Sequence, residues 1–455
     1  MRLFAEHALL PTGWMRDIQL TIDADGTIAC VEAGAAAGGA ERLSGPLVSG
    51  MPNLHSHTFQ RALAGRTGRR NPLAPGADSF WTWRQAMYAF LDCVDADAFE
   101  AIAAQAFVEM LEAGYTSVAE FLYVHHDPQG RPYEDPAELA HRIVAAATDA
   151  GIALTLLPVF YAHSGFGGAP PTAGQRRFVH TLDTYARLVG ALANDAATRG
   201  YTLGVAAHSL RAVTPEELAA ITAQAPSDGP IHIHAAEQAR EVTECVAALH
   251  ARPVQWLLDH AGVDERWCIV HATHVTANET RRLAMSGAVA GLAPTTEADL
   301  GDGTFGARTH IDGGGLIGIG SDSNTCIDPY AELRQLEWSQ RLALQQRNVL
   351  TQDGLPVGHS LYAAAAAGGA RALAQPIGAI APGRRADLVV LDVIERALIG
   401  QDIDDILDAA IFGPCRQPVR DVMVAGRWVV RDGRHPRREA VLENYRTVLS
   451  RLTNR

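Results

Sequence analysis

The sequence contains no lysine, so all 38 basic residues among its 455 residues are arginines. Enzymes that bind a substrate or pyridoxal phosphate as a Schiff base need a lysine, and so do nucleotide-binding proteins with a P-loop. A pair of metal ions bridged by a carboxylated lysine is excluded for the same reason. These kinds of site are ruled out before any motif is considered.

Positive charge and long hydrophobic runs are also scarce. The 38 basic and 51 acidic residues give a net charge of −13, which argues against a nucleic-acid partner because phosphate contacts need a basic surface. No apolar run approaches the length that crosses a bilayer, and residues 1–14 lack the pattern of a signal peptide. The six cysteines form no CxxC motif. We therefore predict a cytoplasmic protein with no membrane partner and with six reduced, mostly buried thiols.

The middle of the chain alternates short apolar runs with amphipathic segments. The eight runs cover residues 47–54, 116–121, 152–160, 202–207, 230–234, 267–271, 288–293 and 316–321. Apolar strands that alternate with helices predict an α/β protein with a parallel sheet. Eight such strands match the size of a (β/α)₈ barrel of the TIM type. A doubly wound open sheet is the alternative.

Both ends of the chain contain short strands and turns instead. Residues 17–22 alternate in polarity and are followed by the hairpin signal Asp25-Gly26, and residues 386–392 and 422–430 resemble a strand and a hairpin. We therefore predict a small β-sandwich domain built from residues 1–46 and 376–432, a barrel over residues 47–375, and a solvated helix within residues 433–455.

Residues that can bind a metal follow five of the eight apolar runs. They are His55 and His57, His208, His232 with His234 and Glu237, His271 with His274, and Asp322. In a parallel barrel these strand ends meet at one face, where catalysis takes place. His55 and His57 can face the same ion because alternate residues of a strand point the same way. Three imidazoles and a carboxylate suit one divalent ion, with Zn²⁺ as first choice and Fe²⁺ as second.

These residues lie in motifs that resemble the amidohydrolase superfamily, in its mononuclear deaminase branch. The motifs are PNLHSH over residues 52–57, HIHAAE over 232–237, VH over 270–271, GSDSN over 320–324 and GRRADLV over 383–389. The resemblance implies the barrel fold and a homodimer. It also implies that His55, His57, His234 and Asp322 bind the metal.

The resemblance further implies a hydrolytic mechanism. The ion lowers the pKa of a bound water, Asp322 accepts its proton, and His271 holds the hydroxide that attacks an sp² carbon bearing nitrogen. Glu237 then protonates the departing nitrogen, which leaves as ammonia.

Four further histidines are predicted to lie outside this machinery. His232 has the same parity as His234 and is the alternative ligand, but a position in the barrel core is favoured. We predict that His274 is structural and that His125 and His126 lie in a solvated turn.

The remaining polar residues at the strand ends indicate an anionic substrate. They are Gln60, Arg84, Tyr123, His208 and Arg211. Arginines at one mouth of an otherwise acidic protein suit carboxylates. The segments SFWTWR (residues 79–84), EFLYVHH (120–126) and HSLR (208–211) resemble enzymes that hydrolyse N-formimidoyl-L-glutamate to N-formyl-L-glutamate and ammonia in histidine degradation. That resemblance implies that these five residues hold the amidine and the two carboxylates of this small amino-acid derivative.

Two other functions stay open from the sequence. A purine or pterin aminohydrolase of the same superfamily needs a neutral aromatic pocket, for which Phe80, Trp81 and Trp83 leave room. A non-catalytic scaffold with the same barrel would have lost metal ligands. The Gly- and Pro-rich loop over residues 162–171 is either a lid or a passive connection.

Overall fold

Eight parallel strands form a closed barrel in the computed structural model, which describes residues 1–68, 78–352 and 354–453. The barrel strands, in order, are Met51–Ser56, Tyr115–Leu122, Ala153–Phe160, Val205–Ser209, Ile231–Ala235, Trp267–His271, Val289–Leu292 and Leu316–Ile319. Each strand pairs in parallel with the next. A parallel bridge between Ser56 and Asp322 joins the last strand end to the first. The predicted barrel is therefore confirmed, and an open sheet is excluded.

Helices surround this barrel and follow most of its strands. The α-helices are Phe80–Leu91, Ala96–Ala113, Glu138–Ala150, Leu182–Arg199, Pro215–Thr222, Ala239–Leu249, Pro253–His260, Ala277–Met285, Pro294–Leu300, Ala307–Asp312, Pro329–Leu344, Val357–Ala372, Ile406–Phe412 and Arg438–Thr453. Short 3₁₀ turns cover Thr58–Leu63, Ala173–Gln175 and Ile403–Asp405. The helix Pro215–Thr222 begins with an N-cap, because the Thr214 hydroxyl accepts from the Glu217 amide. No helix of the described residues is long and apolar enough to cross a membrane.

A second, mixed sheet is built from both chain ends and fits the predicted β-sandwich. Its strand order is Arg427–Val430, Val419–Val424, Leu388–Leu391, Leu47–Ser49, Arg2–Leu10, Gly13–Ile22 and Ile28–Glu32, with Glu41–Arg42 pairing beside Arg2–Leu10. Leucine, isoleucine and alanine side chains of this sheet form a small core of their own. The predicted domain boundaries at residues 46, 375 and 432 stay predictions.

The structure corrects several local predictions. The apolar run over residues 47–54 is two strands, because the chain leaves the small sheet at Gly50 and enters the barrel at Met51. A β-carbon at Gly50 would lie 2.3 Å from the Thr116 hydroxyl oxygen, so no side chain fits at this crossing. The C-terminal helix is not fully solvated, since it buries Tyr445 and Val448. Two of the six free thiols are buried and four are partly exposed, so the prediction of mostly buried thiols is wrong.

Candidate active site

Three histidines converge at the carboxyl end of the barrel. His55 lies near the end of the first barrel strand, His57 follows that strand directly, and His234 lies near the end of the fifth strand. The Nε2 atom of His55 lies 3.2 Å from Nε2 of His57 and 3.0 Å from Nε2 of His234. All three side chains are buried, and together they form a group that can hold a metal ion.

The outer ring nitrogens of two of these histidines fix the direction of their lone pairs. Nδ1 of His57 lies 3.0 Å from the Phe121 carbonyl, and Nδ1 of His234 lies 3.0 Å from the His208 carbonyl. Since a carbonyl oxygen only accepts, each Nδ1 carries the proton and each Nε2 turns a lone pair towards the cluster. Burial lowers the pKa of His57 to about 3, so its ring stays neutral.

This donor set fits a divalent cation. Buried lone pairs that face one another repel unless a positive charge lies between them. Ligand nitrogens about 2.0–2.1 Å from a tetrahedral ion lie about 3.3 Å apart, close to the spacing of the imidazole nitrogens. A carboxylate completes the set, because Oδ1 of Asp322 lies 3.4 Å from Nε2 of His57 and 3.7 Å from Nε2 of His55.

Two ionisable groups stand beside this cluster. Nε2 of His271 lies 3.7 Å from Oδ2 of Asp322 and 3.9 Å from Oε1 of Glu237. Burial lowers the pKa of His271, but Glu237, Glu297 and Asp322 outweigh it and raise that pKa to about 10. Burial raises the pKa of Glu237, and His271 only partly offsets this. His271 and Glu237 can therefore hold and exchange a proton next to the three histidines.

Glu297 contacts His271 from behind, which the sequence analysis missed. Its Oε1 lies 3.2 Å from Nδ1 of His271 and accepts from the Ala293 amide at 3.1 Å. Glu297 belongs to the short helix Pro294–Leu300 that follows the seventh barrel strand. The sequence signal was the Glu in PTTEADL, which follows an apolar run as the other candidates do. Glu297 fixes the ring of His271 so that Nε2 faces the cavity.

The backbone turns sharply where the site residues leave their strands. Ala236, His271, Asp322 and Asn324 all have positive φ angles, of 54°, 69°, 43° and 55°. Such angles are unusual for residues other than glycine and cost about 1–3 kcal/mol each, and they cluster at functional sites. The turns aim side chains from separate strands at one point.

A buried hydrogen-bond network joins the first and last strands beneath the metal-binding side chains. The Asn53 amide nitrogen donates to the Ser321 hydroxyl at 2.7 Å, which donates to the Asn324 side chain at 2.6 Å. The Asn324 amide in turn donates to the Ser56 hydroxyl at 3.2 Å. Backbone bonds run in parallel, from the Asp322 amide to the His55 carbonyl at 3.0 Å and from the His57 amide to the Asp322 carbonyl at 2.9 Å. The network therefore fixes Asp322 relative to the two histidines.

The cluster borders a cavity with about 530 Å³ of space not filled by atoms, a volume that includes open solvent at the mouth. Every predicted site residue lines this cavity except His55, which is fully buried beneath it. The lining also includes the aromatic residues Phe80, Trp83, Tyr88, Tyr161 and Phe178, together with Met87, Thr296 and Leu300. The sequence analysis missed most of these apolar residues because they come from loops and helices whose packing it could not predict.

Arg211 is buried beside the cavity with part of its guanidinium unpaired. Its Nε and Nη1 atoms have no hydrogen-bond partner among the described residues. A buried cation without a partner is costly, so its position is suited to an anion that enters the cavity. Arg84 lines the same cavity and forms no ion pair within the described part of the chain.

The three remaining predicted residues form a polar and aromatic side of the cavity. The Gln60 amide nitrogen donates to the Tyr123 hydroxyl at 3.0 Å, and the Gln60 side-chain oxygen has no hydrogen-bond partner in the part of the chain that the structure describes. The His208 ring packs against Tyr123 and Tyr161, with ring centroids 5.6 and 4.8 Å apart. Gln60 and His208 therefore offer polar atoms next to the histidine cluster.

Two of the four histidines predicted to lie outside the site, His232 and His125, have clear positions. His232 is in the barrel core, where its Nε2 lies 2.8 Å from the Ala372 carbonyl and outside the cluster. The solvated turn predicted for His125 and His126 is wrong. His125 is buried against the His180 ring at 4.4 Å between centroids, and its Nε2 lies 2.9 Å from the Val159 carbonyl. The third strand and the chain near residue 179 cover this segment, which a local polar pattern does not reveal.

Comparison with known proteins agrees with this geometry. The model of the amidohydrolase family matches residues 47–429. The chain belongs to the amidohydrolase family. The first 45 residues match a second model, described as formimidoylglutamate deiminase HutF, N-terminal domain. The family resemblance predicted from the motifs is thus confirmed, and the family's metal dependence agrees with the three-histidine cluster.

Individual relatives cover most or nearly all of the chain. The formimidoylglutamate deiminase of Pseudomonas aeruginosa is 51% identical, with 99% of both chains covered. A 5-methylthioadenosine/S-adenosylhomocysteine deaminase of Halobacterium salinarum is 28% identical and covers 85% of this chain and 81% of its own. A solved amidohydrolase structure from Brucella melitensis is 48% identical, with a TM-score of 0.94 and 99% of both chains covered. An adenosine deaminase structure from Xanthomonas campestris with bound zinc has a TM-score of 0.83 over 100% of this chain and 98% of its own, but at 22% identity it shows the fold alone.

Proposed function

We propose that this amidohydrolase is a formimidoylglutamate deiminase, which hydrolyses N-formimidoyl-L-glutamate to N-formyl-L-glutamate and ammonia in histidine degradation. One observation carries the proposal most directly: Arg211 and Arg84, which form no ion pair with any described residue, share a cavity with the three-histidine cluster. A dianionic substrate needs cations that are not already neutralised. The full-length similarity to the Pseudomonas aeruginosa enzyme supports the same substrate.

In this proposal one divalent ion, with Zn²⁺ favoured over Fe²⁺, is held by His55, His57, His234 and Asp322. A bound ion of this kind supplies a hydrolytic nucleophile at neutral pH. Asp322 is the proton acceptor next to it, and His271 orients the nucleophile through Nε2. The homodimer implied by the resemblance stays a prediction.

Glu237 is proposed to handle the protons of the amidine. Its carboxylate lies at the cavity floor and is buried, and burial raises its pKa. An ionised Glu237 attracts the cationic amidine, and a protonated Glu237 donates to the nitrogen that leaves as ammonia. His271, 3.9 Å away, is close enough to stabilise the charge on Glu237 between these two states.

Arg84, Arg211, Gln60, Tyr123 and His208 are proposed to bind the substrate. The two arginines suit carboxylates, while the unpartnered oxygen of Gln60 can accept from an amidine N–H. Replacement of Arg211 by glutamine should raise KM about 100-fold, because a charge-assisted hydrogen bond to a buried site contributes about 1.5–3 kcal/mol. Steady-state kinetics with N-formimidoyl-L-glutamate measures this, and an unchanged KM would remove Arg211 from the binding site.

Ammonia release from N-formimidoyl-L-glutamate, guanine, adenosine and 5′-methylthioadenosine tests the function. We expect rapid release from the first compound alone, because a neutral purine leaves the buried Arg211 and the half-buried Arg84 without an anionic partner. Release from a purine but not from N-formimidoyl-L-glutamate would support the aminohydrolase alternative. No release from any of the four, by protein loaded with metal, would favour a non-catalytic scaffold.

Glu297 provides a separate test of how His271 is positioned. Replacement of Glu297 by glutamine should lower kcat about 10- to 100-fold with the metal content unchanged, as removal of a partner that orients a site histidine does. The control is Asp299→Asn, an exposed acid on the same short helix, which should leave kcat unchanged. Equal kcat values for wild type and Glu297→Gln would show that His271 is held by other contacts.

A further inference from the structure

Three guanidinium groups surround the indole ring of Trp81. The Cζ atoms of Arg84, Arg211 and Arg240 lie 4.6, 5.6 and 4.5 Å from the ring centroid. Each distance is within the range of a cation–π interaction, and Trp is the strongest partner for it. Because like charges repel, the three arginines do not attract one another. The favourable contact that they share is the one with the indole ring.

The arginines come from separate parts of the barrel mouth. Trp81 and Arg84 lie three residues apart on the helix Phe80–Leu91 and therefore share a face. Arg211 follows the fourth barrel strand, and Arg240 lies on the helix Ala239–Leu249. Trp81 thus connects the helix Phe80–Leu91, which follows the first barrel strand, to the end of the fourth barrel strand.

Trp81 itself does not line the cavity, whereas Arg84 and Arg211 do. Trp81 is half-buried and packs against Phe80, with ring centroids 5.2 Å apart at an angle of 88°. The indole therefore contacts two arginines of the cavity without lining the cavity itself. It can act on a bound substrate only through them.

Arg240 differs from the two cavity arginines because it alone has a carboxylate partner among the described residues. Arg240 is exposed and paired, since its Nε donates to Oε1 of Glu244 at 2.6 Å. Among the described residues, Arg84 and Arg211 have no carboxylate within 4.0 Å. A carboxylate partner would position these two arginines but would also compete with an anionic substrate. An aromatic ring attracts a cation without neutralising it.

We propose that Trp81 is a positioning residue that sets the specificity for a doubly charged substrate. Its indole holds Arg84 and Arg211 at the cavity mouth while leaving both charges available to carboxylates. This inference rests on the proposed function, because it assigns Trp81 a role in binding the carboxylates of N-formimidoyl-L-glutamate.

The test replaces Trp81 by phenylalanine and by leucine. Cation–π attraction falls from Trp to Phe and is absent for Leu, and its loss at two arginines corresponds to about a tenfold rise in KM. We expect KM for N-formimidoyl-L-glutamate to rise about threefold in Trp81→Phe and about tenfold in Trp81→Leu, with kcat within about twofold of wild type. The KM for N-formimidoyl-L-glutamine, which has one carboxylate, should rise less in each variant.

A binding measurement separates this role from a general loss of structure. Calorimetric titration of the metal-loaded enzyme with N-formyl-L-glutamate should show Kd rising in the same order as KM. The matched control is Arg240→Gln, which removes the paired cation from the same ring and should leave KM and Kd within about twofold.

Two results would overturn the inference while the proposed function stands: wild-type KM values in Trp81→Leu, or equal losses for the substrates with one and two carboxylates. A fall in kcat that matches the rise in KM would also overturn it, since Trp81 would then support the reaction itself. A wild-type enzyme that releases no ammonia from N-formimidoyl-L-glutamate would overturn the proposed function and this inference together.

Discussion

Replacement of His234 by alanine is expected to remove the bound metal and to lower kcat/KM by at least about 10⁴-fold. His234 contributes one of three converging Nε2 atoms, 3.0 Å from that of His55, and its Nδ1 is committed to the His208 carbonyl. Loss of this ligand leaves two imidazoles and a carboxylate, and hydrolysis loses the nucleophile that a bound ion supplies. Metal content per chain, measured by mass spectrometry on folded protein, and steady-state kinetics provide the two measurements.

His232 is the matched control for this substitution. It lies two residues earlier on the same strand, but its Nε2 contacts the Ala372 carbonyl at 2.8 Å in the barrel core. His232→Gln should keep the metal even if it lowers the melting temperature. If the His232 variant loses the metal and the His234 variant retains it, the ligand assignment is wrong, and the alternative ligand considered from the sequence takes its place.

Replacement of Glu237 by glutamine should lower kcat about 10³-fold and leave the metal content unchanged. Glutamine keeps the size of the side chain but cannot accept or donate the proton that the amidine nitrogen needs, and general acid–base catalysis contributes about 10²–10⁴-fold. Glu237 is not among the proposed ligands, and the nearest charged group with which it is paired is His271 at 3.9 Å. The measurement is kcat for ammonia release at saturating N-formimidoyl-L-glutamate.

The control is Glu216→Gln, which removes the charge of an exposed glutamate and should leave kcat at the wild-type value. Binding of N-formyl-L-glutamate should also survive in Glu237→Gln, because the arginines that suit its carboxylates are untouched. A Glu237→Gln enzyme with wild-type kcat would show that another group protonates the departing nitrogen. His271 would then be the first candidate, because Glu297 and Asp322 still raise its pKa when Glu237 is absent.

The sequence allows much of the barrel to be predicted because each parallel strand is buried on both faces. The run over residues 267–271 corresponds to the strand Trp267–His271 without adjustment. The run over residues 47–54 does not, because Gly50 carries the chain from one sheet into the other. Both halves of that run are apolar, so the pattern alone contains no signal for the crossing except the glycine.

The residues proposed to bind the metal could be predicted because they lie at the ends of strands that meet at the same face of the barrel. Glu297 was missed since its partner His271 lies 26 residues away, and only the packing of the helix Pro294–Leu300 brings the two together. The indole of Trp81 was noticed only as an aromatic residue near the pocket. Its contacts with Arg211 and Arg240 depend on tertiary structure, which no local spacing encodes.

Anomalous X-ray diffraction from crystals of the metal-loaded enzyme, collected at the zinc and iron absorption edges, tests the proposed single-ion site most directly. We predict one anomalous peak per chain, about 2.0–2.2 Å from Nε2 of His55, His57 and His234 and from a carboxylate oxygen of Asp322. Two peaks in the cavity, or one peak bound by other residues, would contradict the account.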